Sequence, residues 1–169
     1  DTFQLETSPG IYRNWEIGGD YEFNTQAGNR WKILFISNAL ESANTRERYD
    51  VLSETSKEKN LFLDSWSNTK ERIVRGSYTF DLFESQDIEV GAERAQTILD
   101  SKLALGLSGV VGMPSQSVGG LIPMPVSNAN STVEEMRYEP FLIHNWIINQ
   151  EMSLETSVLY EDSEIMQRG

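Results

Sequence analysis

A two-residue alternation returns in segments along most of this chain, and it limits the fold more than any other feature. In "RIVRGSYTFDLFES", Tyr78, Phe80 and Leu82 fall on one side, and Thr79, Asp81 and Phe83 on the other. Successive strand side chains point to opposite faces, so this period predicts a β-strand. "NWEIGGDYEFN" sets Trp15 and Ile17, then Tyr21 and Phe23, around Gly18-Gly19, which predicts two strands and a turn. "RWKILFIS" puts Trp31, Ile33 and Phe35 on one face and Lys32, Leu34 and Ile36 on the other. Both faces are mainly apolar, as in a strand buried on both sides. "RERYDVLSE" and "NLFLDSWSN" alternate too, and so do Met136 and Tyr138, Phe141 to Ile148, and Leu154 to Tyr160, with "NQEM" as a hairpin turn.

Two segments depart from this pattern. "IEVGAERAQTILDSKLALG" places Ala92, Ala95, Ile98, Leu99, Lys102 and Leu103 near helical spacing, which predicts a helix over 91–105 with Gly106 as its C-cap. Residues 103–133 then run without one Asp, Glu, Lys or Arg. A spanning helix needs about 20 continuous apolar residues. Pro114, Pro123 and Pro125 interrupt this run, and no Lys-Ser or Lys-Thr follows its glycines as a phosphate loop would require. The segment 106–133 therefore reads as an irregular insertion. Leu121, Ile122, Met124 and Val126 are its candidate partner-docking residues, because exposed together they would form an apolar patch.

About eight or nine strands with one helix suggest an antiparallel β-barrel or sandwich. With 169 residues the chain fits one domain over 1–169. Its net charge of −12 repels nucleic acid and anionic membrane surfaces. The absence of cysteine excludes disulfides and thiolate metal sites. The opening "DTFQLETSPG" has no Met and no signal-like apolar core, as expected of a chain trimmed of a targeting segment or of a fragment.

Chemistry-bearing constellations are sparse. His144, the single histidine, lies in the apolar "FLIHNWII" and reads as a structural residue. Glu134-Glu135 and Glu161-Asp162 are adjacent pairs, whose members point to opposite faces of a strand and form no acid/base dyad. No catalytic residue, metal site or cofactor is expected. The four tryptophans, Trp15, Trp31, Trp66 and Trp146, each fall in a strand-like segment. They suit a core, or a cavity for an apolar or pigment-like ligand.

Two segments together carry a family resemblance. "NRWKILFIS" resembles an early strand of the plastid lipid-associated proteins, the plastid fibrillins, with Trp31 at the motif tryptophan and Leu34 and Phe35 in its apolar run. "LETSVLYEDSEIMQRG" resembles that family's closing segment: Tyr160, Glu161 and Asp162 take its Leu-Asp-Glu positions, and Arg168 and Gly169 its terminal Arg-Gly. The chain departs from the family in reading Ser163-Glu164-Ile165 for Asp-Leu-Arg, and in having strand-like residues before Trp31 where the family has a helix. The resemblance implies a lipocalin-like β-barrel in a plastid, at the thylakoid or in the stroma. It implies non-enzymatic binding of a lipid, isoprenoid or pigment, with Arg168 either holding a polar ligand group at the barrel end or bracing the barrel. Trp31, Trp146, Tyr160 and Arg168 are the candidate ligand-binding residues. The alternative expectation is an accessory or assembly subunit of a larger complex, such as a photosynthetic membrane protein complex, docking through 103–133. An enzyme on the same scaffold is a third.

Overall fold

The structure, a computed structural model, describes residues 3–169. Nine strands form one antiparallel sheet: β1 (Phe3–Thr7), β2 (Gly10–Asn24), β3 (Arg30–Ser53), β4 (Ser56–Phe83), β5 (Gln86–Leu107), β6 (Ile122–Met124), β7 (Asn130–Ile147), β8 (Ser153–Leu159) and β9 (Asp162–Arg168). β1 and β2 lie end to end along β3, and β9 and β8 lie end to end along β7. β6 continues the β7 column along β5. The sheet is thus six strands wide, with its columns in sequence order. β4 has 28 residues, a reach of about 90 Å at ~3.3 Å per residue.

The turns at Thr25–Asn29, Glu84-Ser85 and Ile148–Met152 lie at one end of the sheet. The first closes with Gly28 N–H donating to Thr25 O at 3.0 Å and Asn29 N–H to Thr25 Oγ1 at 3.1 Å. Gly28 has φ 85, a left-handed conformation that suits a residue without Cβ. The turn at Glu54-Thr55 and the long connection from β5 to β7 lie at the other end.

Four expectations from sequence need correction. Residues 91–105 form no helix; they are part of β5, bonded to β4 on one side and β7 on the other. The same residues also fit a period of two, and pairing on both edges overrides the helix preference of their alanines and leucines. Gly106 is a strand residue and no helix cap; a Cβ there would meet Val118 Cβ at 2.8 Å. The irregular segment is shorter than 106–133, because β5 runs to Leu107, β6 returns to pair with it, and β7 starts at Asn130. Gly18-Gly19 is no turn either: both lie within the continuous β2. Mainly β architecture in an antiparallel sheet is as the alternation predicts. Closure into a barrel is not seen, since among the described residues the outer edges of the β1/β2 and β8/β9 columns do not pair.

The sheet is a single layer. Among the described residues only Ala95 (4% exposed) and Val118 (3%) are buried hydrophobic side chains. Register fixes which side chains share a face, because directly opposed residues point the same way. One face carries all four tryptophans, with Trp15 opposite Ala39, Trp31 opposite Tyr78, Trp66 opposite Lys102 and Trp146 opposite Gln86. On that aromatic face eight Lys and Arg meet seven Asp and Glu; on the other, six meet fourteen. The acidity of the chain is therefore concentrated on one face, the charged face.

Exposure differs between the faces. Trp31, Ile33 and Phe35 are exposed, and so is Lys32, while Leu34 and Ile36 are half-buried. Val74, Val90, Ala92 and Arg94 are exposed; Arg75, Gly91 and Glu93 are half-buried and Ser77 and Ala95 buried. In a single layer this alternation means that the sheet curls around its charged face.

Where Phe141 crosses Gly91, a Cβ on Gly91 would meet that ring and stand 2.6 Å from Gly76 O. Gly91→Val should therefore destabilise the fold by about 2 kcal/mol, as overpacking does. Gly19→Ala, which meets nothing within 4 Å, should stay within about 0.5 kcal/mol. Denaturant unfolding of both variants measures the difference.

Candidate functional site: an uncharged aromatic belt

On the aromatic face, next to the end with three turns, four consecutive cross-strand rows contain no Asp, Glu, Lys or Arg. The first row is Phe83, Gln86, Trp146 and Leu154; the second is Phe80, Ile88, His144 and Thr156. The third crosses all six strands as Phe23, Trp31, Tyr78, Val90, Leu142 and Val158. Tyr21, Ile33, Gly76, Ala92 and Pro140 form the fourth. Charge returns only in the row of Phe35, Val74, Arg94, Tyr138 and Asp162.

Within this belt Trp31 and Tyr78 rings lie 4.5 Å apart, and Tyr78 and Phe80 rings 5.6 Å apart. Asn29 Nδ2 donates to Tyr78 Oη at 2.6 Å, giving the phenol a partner where the belt meets the turn. His144 Nε2 and Gln86 Oε1 are 2.9 Å apart, so the single histidine is hydrogen-bonded within the belt. Gly76 leaves a notch, with nothing within 4 Å of where its Cβ would stand. Trp31, Ile33, Tyr78, Val90 and Ala92 surround it in an open depression of about 620 Å³.

The charged face behind the belt mixes charged residues with Leu34, Phe141, Ile143 and Leu159. Arg137 bridges Glu93 at 3.4 Å and Glu139 at 2.6 Å. Arg75 lies over the Phe141 ring at 4.3 Å. Glu22, Arg30, Lys32, Arg75, Ser77 and Glu89 line a cleft of about 320 Å³.

The residues singled out from sequence do not gather at one point. Trp31 and Trp146 share the belt face but stand three strands and four residues apart, about 20 Å by sheet spacing. Tyr160 is exposed between β8 and β9. Arg168 lies at the far end of the same face, where it borders a depression with Trp66, Asp100, Lys102 and Thr132. Leu121, Ile122, Met124 and Val126 are all half-buried, Ile122 and Met124 through β6 pairing with Leu107 and Leu105. The fully exposed apolar residues of that segment are Val111 and Met113, which the sequence did not distinguish from their neighbours. The belt as a unit was also not legible, although its signal, period two in β2 to β5, was present.

At the end away from the belt, Lys59 Nζ holds Glu47 Oε1 at 2.6 Å and reaches Gly119 O at 3.4 Å. It lies near the rings of Tyr49 and Phe62. The Lys59 hydrogen bond, then that of Tyr49, holds the Glu47 carboxyl below its ordinary range. The carboxylate in turn raises the Tyr49 phenol and the Lys59 ammonium. This clamp fastens the irregular segment, whose Val118 is packed against Gly106.

No protein-family model matches this chain, and no curated protein shows significant similarity to it.

A carboxylate with a depressed pKa stabilises above its unfolded value and stops doing so as pH falls through its folded value. Proteolysis of residues 108–121 should therefore stay slow from neutrality to about pH 5 and accelerate below the ordinary Glu value of 4.5. In Lys59→Met it should be fast already at neutrality.

Proposed function

We propose that this chain is part of the wall of a transmembrane β-barrel, with the aromatic belt against lipid and the charged face towards an aqueous lumen that handles solutes. The observation that carries this reading is an uncharged belt on the exposed face of a chain with net charge −12. A membrane-crossing strand needs about 9–11 residues tilted near 45°. β5 contributes residues 86–94 to the belt and its margin, and β7 contributes 138–146. Nine residues at that tilt rise about 20 Å, close to the ~25 Å apolar band of such barrels. Aromatic residues stand at both margins, Phe83 and Trp146 near the turns and Phe35 and Tyr138 at the other edge. No helix among the described residues is long and apolar enough to cross a membrane; that fact does not bear on crossing by strands.

The same geometry weighs against a lipocalin-like carrier. A lipocalin shelters its apolar face and turns its polar face to water, whereas the face sheltered by curvature here is the charged one. The plastid fibrillin reading retains one support, the apolar depression at Gly76. On that reading the edges close into a lipocalin-like barrel in a plastid, and a lipid, isoprenoid or pigment sits against Trp31. The accessory-subunit reading is favoured by Val111 and Met113, which stand fully exposed on an uncharged segment suited to a membrane-complex partner.

Val90→Arg tests the first reading. It puts a charge in the middle of the belt, and should lower folding stability in lipid by about 2–4 kcal/mol. Ser101→Arg on the opposite face should change it by less than about 0.5 kcal/mol. Denaturant titration in vesicles measures both. A chain that is a water-soluble monomer without detergent, indifferent to Val90→Arg, and binds one apolar ligand would favour the carrier.

A further inference from the structure

We infer that the charged face bears a binding site for a small oxyanion, a phosphate or carboxylate group, held by Arg30, Lys32 and Arg75 above the Ser77 hydroxyl. Cross-strand geometry gathers these residues. Lys32 stands directly opposite Ser77. Arg30 precedes Lys32 by two residues and Arg75 precedes Ser77 by two, so all four share the face. Lys32 and Arg75, and likewise Arg30 and Ser77, are diagonal neighbours ~7–8 Å apart, so Arg30 and Arg75 flank the Lys32–Ser77 pair from either side. The space between them is the cleft of about 320 Å³.

Ion pairing among the described residues leaves most of the Lys and Arg free, these three included. Arg137, Arg46 and Lys59 each hold a carboxylate. Among the described residues Arg30, Lys32 and Arg75 hold none, although the chain has 26 Asp and Glu against 14 Lys and Arg. Glu22 and Glu89 border the same cleft and still form no ion pair with them. Ser77 is 8% exposed and lines the cleft. Three unpaired donors and a buried hydroxyl facing one cavity supply what an oxyanion needs, charge-assisted bonds from several directions. The Phe141 ring fixes the Arg75 guanidinium at 4.3 Å, which reduces the ordering needed when the ligand arrives. Glu22 and Glu89 set the selectivity: a bulky anion would meet them, and a compact one would not.

This site goes beyond the membrane reading and does not depend on it, since the cleft lies on the face that meets water in either case. Calorimetric titration of the full chain with inorganic phosphate, and separately with acetate, tests it at neutral pH and low salt. One-to-one saturable binding of either probe is expected, and the probe that binds more tightly identifies the group. Lys32→Met and Arg75→Met should each weaken binding about tenfold or more. Glu22→Gln, which removes a competing carboxylate, should tighten it, a gain that misfolding does not mimic. Lys70→Met on the aromatic face should leave it unchanged. Absence of saturable binding with both probes, or equal affinity in the wild type and in Lys32→Met and Arg75→Met, would overturn the proposal.

Discussion

Everything in this fold follows from one condition, that a single layer of strands has no interior. Each strand residue must choose one of two faces, and among the described residues only the far end of the aromatic face is covered, by the segment after β5. Register carries the choice across six strands, so a row such as Phe23, Trp31, Tyr78, Val90, Leu142 and Val158 is apolar from edge to edge. A two-layered protein would bury such a row against a second sheet or a helix. Here Trp31 is 51% and Val158 65% exposed. Apolar area of this extent, left open to water, is what a lipid phase covers in a β-barrel.

The two ends of the sheet differ in what they ask of their surroundings. The belt end is short-turned and uncharged on its outer face. Beyond Phe35 the same face becomes polar, with Arg72, Lys70 and Glu41 among its residues. The opposite face gains leucines there, with Leu63 opposite Leu105 and Leu61 opposite Leu107. Long strands therefore carry the sheet well past the belt, and the uncharged segment after β5 folds back at that far end, fixed by Val118 and the Lys59 clamp. On the charged face, the cluster of Arg30, Lys32 and Arg75 lies level with the belt.

Much of this was legible in the sequence, and the rest was hidden for identifiable reasons. Alternation at Tyr78, Phe80 and Trp31 predicted strands, and strands formed. The alanines and leucines of residues 91–105 satisfied two periods at once, and pairing with β4 and β7 decided between them. Gly18-Gly19 resembled a turn because glycine often marks one, yet Gly18 faces Ile36 and Gly19 faces Phe35 within an unbroken ladder. Trp31 and Trp146 were each visible as strand aromatics; that all four tryptophans share a face depends on register, which no local window contains. Nor could the sequence reveal which face is sheltered. That depends on curvature, which only the paired strands define.

The most direct measurement is the depth of each tryptophan in a bilayer, read from fluorescence quenching by lipids brominated at different acyl positions, in variants that keep one tryptophan each. Trp31 lies within the belt. Trp15 pairs eight residues further along β3, about 27 Å away, and Trp66 lies further still. The account predicts strong quenching of Trp31 and Trp146 by bromines within the acyl region, and little quenching of Trp15 and Trp66. Equal quenching of all four, or none in any, would contradict a membrane-spanning belt.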